Sequence, residues 1–119
     1  VVTNIAPRET GADWLTYRWF PESLEADLRG HPPLEELESA AKRCGFAHVH
    51  VEVTHGSWTT TLTALAASAA RKVDCSQVIA LDEQTFAARL ADLTAEASRR
   101  GAEPVQDGLA LMKLVGDRE

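Results

Sequence analysis

The chain has 119 residues, of which 45% are hydrophobic and 25% charged, a composition typical of one globular domain. Its net charge of −6 and its scattered basic residues argue against a nucleic-acid surface, which depends on clustered lysines and arginines. No apolar run approaches the ~20 residues of a membrane helix, and no signal pattern opens the sequence. Because the only cysteines are Cys44 and Cys75, a reducing cytoplasm is the expected location.

The first third of the chain predicts a strand followed by a long loop. Residues 1–4 have the pattern of the last residues of a buried β-strand, which we expect to continue a longer chain. Residues 5–33 show no sustained period and contain several prolines and glycines, so they are predicted to form a structured loop. Such a loop exceeds the ~12–15 residues of ordinary connections, which favours a lid or pocket wall.

A helix and a strand are predicted next. The helix begins near Pro33, carries an apolar stripe that ends at Cys44, and stops at Gly45. The strand covers residues 47–53, with valines alternating with His48, His50 and Glu52, so that one face is buried.

The rest of the chain predicts two helices and a final strand. An alanine-rich helix is expected from about residue 60 to residue 72, and a longer one from an Asp82 cap to a stop at Gly101. Asp107-Gly108 is predicted to form a turn, and the apolar residues 109–115 a strand inside the sheet. The fold class indicated is α/β.

The order of these elements resembles the carboxy-terminal half of class I S-adenosylmethionine-dependent methyltransferases. The similarity is carried by the aromatic-Phe-Pro segment at residues 17–21, the helix start at 33–37, the Cys-Gly-Phe helix end at 44–46 and the serine-to-phenylalanine segment at 75–86. The resemblance covers nearly the whole chain. It implies a partial Rossmann-like sheet whose final strand is antiparallel and lies between the other two, with a helical insertion over residues 57–104.

The segments with which this family binds its methyl donor are missing from the sequence. The family uses a glycine-rich turn after its first strand and an acidic residue after its second, whereas no glycine pair here has G-x-G spacing. The resemblance therefore implies that S-adenosylmethionine serves the complete enzyme. No donor binding is expected of this chain alone.

Candidate site residues lie in the aromatic segment and after the valine strand. Tyr17, Trp19, Phe20, His55 and Trp58 are the expected substrate-binding residues, because loops beyond the carboxyl ends of strands bind ligands in open α/β sheets. His55 is also a possible general base. The aromatic residues could equally fix the long segment to the core, and His55 could be an ordinary loop residue.

Other reactive side chains are interpreted as structural. His48, His50 and Glu52 could chelate a metal, but a solvated strand face is favoured because no fourth ligand is evident. No metal is therefore expected. Cys44 and Cys75 are expected to be buried and inert, and His31 to be a turn residue.

The leading hypothesis is a portion of a bacterial, small-molecule methyltransferase that contributes substrate contacts and the sheet edge and is inactive by itself. The alternative is a non-enzymatic ligand-binding or protein-interaction module. In the alternative, an apolar first strand without a partner would favour a homodimer, because exposed strand edges pair with other chains. Neither hypothesis includes nucleic acid or a membrane as partner.

Overall fold

The computed structural model describes residues 1–71, 76–79 and 81–118. Within them the protein is a mixed α/β structure built on an antiparallel sheet of three strands. Among these residues, no helix combines the length and the apolar character needed to cross a membrane. A short 3-10 turn at Gly11–Asp13 accompanies the following elements in chain order: β1 (Val2–Ile5), α1 (Pro7–Thr10), α2 (Leu15–Trp19), α3 (Pro21–Gly30), α4 (Leu34–Arg43), β2 (Phe46–Thr61), α5 (Leu62–Ala70), α6 (Ser76–Ile79), α7 (Glu83–Arg100) and β3 (Pro104–Arg118).

The final strand lies in the middle of the sheet. The strand order is β1-β3-β2, and β3 is antiparallel to both neighbours. The interior position expected for this strand is therefore confirmed. β1 pairs only over Val2 to Ile5, whereas β2 and β3 continue past its end to the Thr61–Pro104 pair as a two-stranded ribbon.

The expectation that residues 1–4 are buried is wrong. Residues 2–4 do enter the sheet, but Val1 is 83% and Val2 56% exposed. The reason is topological: β1 pairs with β3 on one side, and no described strand pairs with its other side.

The prediction of a loop over residues 5–33 is also wrong. The segment contains α1, the 3-10 turn, α2 and α3, and the breaks between these elements prevent a sustained helical period. Pro7 and Pro21, which suggested irregular structure, occupy the first helical positions of α1 and α3, where a missing backbone N–H carries no penalty.

β2 is longer than predicted and is irregular near its start. The strand continues through residues 54–61, so the helical insertion begins at Leu62 and not at residue 57. Its register shifts between Ala47 and His50, and His48 has a φ of 53°. The bulge interrupts the β2–β3 ladder at His48, whereas His48, His50 and Glu52 all remain exposed.

Two hydrophobic clusters among the described residues stabilise the fold. One lies among α2, α5 and α7, with Phe20, Leu62 and Leu93 almost fully buried. The other lies between α4 and the sheet, around Ala6, Ala110 and Met112. Burial of these side chains is the principal stabilising contribution.

The long helix α7 follows its prediction closely. The carboxylate of Asp82 accepts a hydrogen bond from the Thr85 backbone N–H at 2.8 Å, which caps the first turn and lowers the pKa of Asp82. Gly101 ends the helix with a φ of 60°. Phe86, Leu90, Leu93 and Ala97 form the apolar stripe, as expected, against the helical core.

Two further predictions are corrected. Cys44 is exposed, because it is the C-terminal cap of α4 and not part of the stripe that faces the sheet. Asp107-Gly108 does not form a turn but lies within β3. Cys75, expected to be buried, and Lys72, the expected helix end, lie outside the described residues.

Candidate functional site

A polar cleft of about 260 Å³ lies beside the β2–β3 ribbon, beyond the end of β1. Its floor is formed by strand residues, among them His55, Ser57 and Gln106, and its wall by Arg18 and Asp13 from α2 and the preceding turn. We call it the His55 cleft. In this cleft His55, the predicted base, and Arg18, from the aromatic segment at residues 17–21, line the same space.

The cleft has this shape because residues 10–15 cross the ribbon at close range. The buried Asp107 carboxylate accepts hydrogen bonds from the backbone N–H of Leu15 at 2.8 Å and of Gly108 at 2.9 Å. The first bond fixes the start of α2 against β3. Thr10 strengthens the crossing, since its hydroxyl donates to the Ala110 carbonyl at 3.2 Å and accepts from the Ala110 N–H at 2.9 Å.

Arg18 contributes the positive charge of the cleft. Its Nε and Nη2 donate to the Ala12 carbonyl at 3.1 and 2.8 Å, which holds the guanidinium at the wall. No acidic side chain of the described residues forms an ion pair with Arg18. The remaining N–H groups can therefore donate to an oxygen atom of a bound molecule.

The structure brings together only some of the predicted site residues. His55 is exposed in the cleft. Trp19 is half-buried and lines an adjoining groove of about 400 Å³, which shares Arg18 and Gln106 with the cleft. Trp58 lies on the other face of β2, because it is an odd number of residues from His55 in a regular strand, and it is 41% exposed.

Tyr17 and Phe20 are core residues and not pocket residues. Tyr17 is 1% and Phe20 0% exposed. The Tyr17 hydroxyl donates to the Asp27 carboxylate, and its ring meets Trp14 edge-on at 4.8 Å. The Phe20 ring stacks on Phe86 at 6.1 Å. These two aromatic side chains therefore fix the segment to the core and do not line a pocket.

The histidines of the opposite strand face do not converge. His48 Nδ1 lies 3.2 Å from the carboxylate of Asp117, and His50 Nε2 lies 3.2 Å from that of Glu52. Within the part of the chain that the structure describes, no three His, Cys, Asp or Glu side chains are grouped as metal ligands. These pairs are exposed and resemble a solvated strand face.

Sequence reasoning missed Arg18, Gln106 and the role of Asp107. Arg18 lies between Tyr17 and Trp19, so the aromatic pattern of the segment concealed its charge. Asp107 was interpreted through its neighbour Gly108. A comparison of the chain with protein-family models, curated proteins and solved structures finds no match.

Proposed function

We propose that this chain forms the carboxy-terminal portion of a methyltransferase that acts on a small molecule. The observation that carries the proposal is the strand arrangement β1-β3-β2 with β3 antiparallel to both neighbours. The resemblance in the sequence implies this arrangement for the end of the family's Rossmann-like sheet. Helix α4 supports it further, because it connects β1 to β2 and packs Leu34 and Leu37 on one sheet face.

The residues of this chain do not fit the methyl donor. The family holds the donor on a glycine-rich turn, and no two glycines of this sequence have G-x-G spacing. In the proposal, S-adenosylmethionine is bound by a different segment of the complete enzyme. This chain contributes the end of the sheet and part of the acceptor site.

The His55 cleft is the proposed part of the acceptor site. It opens beyond the carboxyl end of β1, where open α/β sheets bind ligands. His55 supplies an imidazole that can act as a general base toward a hydroxyl or amine of the acceptor. Arg18 and Gln106 supply hydrogen-bond donors that position the acceptor.

Donor binding tests the proposal directly. The complete product of the native gene and the isolated 1–119 chain are titrated with S-adenosylmethionine in a calorimeter. The expected result is binding to the complete product and none to the isolated chain. The proposal is overturned if the complete product does not bind the donor, or if the isolated chain binds it with micromolar affinity.

A protein-interaction module is the second candidate, favoured by the free edge of β1. The Ala6 N–H bonds inward to the Ala110 carbonyl at 2.9 Å, so alternation along the strand directs the Thr3 backbone groups to the free side. Valines 1 and 2 add exposed apolar surface at this edge. Such an edge can pair with a strand of another chain.

Thr3→Pro tests the second candidate, because it removes an outward N–H without removing a β1–β3 hydrogen bond. Thr3→Ala is the matched control. If the edge mediates self-association, sedimentation of the native chain gives twice its 12.9 kDa. Thr3→Pro then reduces the mass to that of a monomer and Thr3→Ala does not, whereas a monomeric native chain excludes homodimerisation through this edge.

A further inference from the structure

A second cavity, of about 270 Å³, lies between the sheet, α1 and the α3–α4 connection. Its inner wall is apolar, with Met112 buried and Leu34, Leu37 and Leu114 partly buried. Its polar residues are Asn4, Arg8, Glu9 and His31. We call it the His31 cavity. It is separate from the His55 cleft, with which it shares no lining residue.

The polar groups of the His31 cavity are fixed by the backbone. His31 Nδ1 lies 2.9 Å from the Asp27 carbonyl oxygen, which can only accept, so this nitrogen carries the proton. Asn4 Oδ1 accepts from the Ile5 N–H at 2.8 Å, which sets the orientation of the amide. The Asn4 Nδ2 group then faces His31 Nε2 at 3.5 Å and keeps a second N–H available.

Arg8 is held in a similar way. Its Nη1 donates to the His31 carbonyl at 2.8 Å and its Nη2 lies 3.5 Å from the Leu28 carbonyl, at the end of α3. No carboxylate of the described residues is within ion-pair distance of its guanidinium. A positive charge that is anchored by carbonyls but has no acidic partner suits an anion.

From this arrangement we propose that the His31 cavity binds a small apolar monocarboxylate, with its carboxylate on Arg8 and Asn4 and its apolar body against Met112 and Leu37. The exposed positions of Arg8 and Asn4 put the polar groups at the mouth and the apolar wall inside. A volume of about 270 Å³ lies just below the ~300 Å³ at which pockets for drug-sized ligands begin, so the ligand is a small molecule.

Glu9 is the acidic residue of the lining and opposes an anion. It follows Arg8 directly in α1, so the two side chains leave the helix about 100° apart. The carboxylate of the ligand is therefore expected on the Arg8 side, and neutralising Glu9 should improve binding.

Benzoate is a suitable probe because it is an apolar monocarboxylate of this size, and benzamide is its neutral counterpart. The native chain is titrated with each at constant ionic strength, and binding is followed by two-dimensional NMR of the backbone amides. For so small a ligand we expect a Kd of about 0.1–1 mM for benzoate. We expect at least tenfold weaker binding of benzamide, with the largest shifts at residues around the cavity.

Variants separate local recognition from general electrostatics. Arg8→Gln should weaken benzoate binding at least tenfold, whereas Arg29→Gln, which makes the same change in net charge outside the cavity, should alter it less than twofold. Glu9→Gln should strengthen it. Arg8→Gln also removes the hydrogen bonds to the Leu28 and His31 carbonyls, so its amide spectrum and thermal unfolding are recorded as well. Arg8→Lys, which keeps the charge, is the alternative variant if Arg8→Gln disturbs the packing.

Several results would overturn the proposal: absence of benzoate binding, equal binding of benzamide, or equal effects of the two arginine variants. None of these outcomes depends on donor binding by the complete gene product. The cavity and the proposed methyltransferase function therefore stand or fall separately.

Discussion

Gly108 offers a direct test of how closely the two strands of the ribbon approach. A Cβ atom at this position would lie 2.8 Å from the Gly56 carbonyl oxygen and 3.7 Å from the Cα of Ser57. Attractive contacts between non-bonded heavy atoms lie near 3.5 Å or more, so the added methyl group overlaps the neighbouring backbone by about 0.7 Å. Gly108→Ala must therefore displace one strand of the ribbon.

Gly56→Ala is the matched control, because its Cβ would meet nothing closer than the Leu109 carbonyl at 4.0 Å. Both variants restrict the unfolded chain equally, which stabilises each by about 0.4–1 kcal/mol. The difference between the two variants in the free energy of unfolding therefore reports the steric overlap alone. This overlap should destabilise Gly108→Ala by about 1–3 kcal/mol relative to Gly56→Ala. For a domain of this size, that is a difference in Tm of about 4–12 °C.

Thermal unfolding followed by circular dichroism at one protein concentration measures this difference. Gly108→Asn then distinguishes a close approach from the Asp-Gly turn predicted by the sequence. A left-handed turn position tolerates asparagine, whereas a close approach rejects any Cβ atom. Equal Tm values for the two alanine variants, or a Gly108→Asn protein as stable as the native chain, would refute the reasoning.

Three further perturbations test the helical half of the fold. Leu93→Ala should lower the free energy of unfolding by about 2–5 kcal/mol in urea titrations, because Leu93 is fully buried; a loss below that of the exposed Leu111→Ala would contradict this. Gly101→Ala should lower Tm because φ is 60° there, whereas Ala102→Gly nearby should change it little. Arg89 holds the pKa of Glu22 below its usual value, so the stabilisation from Glu22 is present above pH ~4.3 and lost as pH falls through the lowered pKa. Glu22→Gln should therefore destabilise at pH 7 and no longer do so near pH 2, and a constant difference between these pH values would exclude this origin.

The sequence was informative wherever one element carries its own boundary signals. The Asp82 cap, the Gly101 stop and the apolar stripe between them lie on one helix, so local chemistry alone determines α7. The final strand could be assigned to the interior of the sheet because it is apolar almost throughout. These predictions needed no knowledge of distant residues.

The sequence was misleading where the structure depends on contacts between distant segments. Tyr17 and Phe20 appeared suitable for a pocket wall, but they are buried by partners in α3 and α7, Asp27 and Phe86. Asp107-Gly108 has the composition of a turn, yet the Asp107 carboxylate binds the backbone of Leu15, 92 positions away. A pattern confined to neighbouring residues cannot contain such a partner.

The two histidines that line cavities differ in whether the chain holds their rings in place. An acid–base histidine is usually oriented by a hydrogen bond to its second ring nitrogen. His31 has that bond, to the Asp27 carbonyl, while the His55 ring has no hydrogen-bond partner among the residues that the structure describes. The sequence ranked them in the opposite order, because His55 follows a clear strand and His31 precedes two prolines. Orientation of His55 in the proposed acceptor site must therefore come from the bound molecule or from a segment outside this chain. Of the two histidines that line cavities, His31 is therefore the one whose ring this chain holds in place.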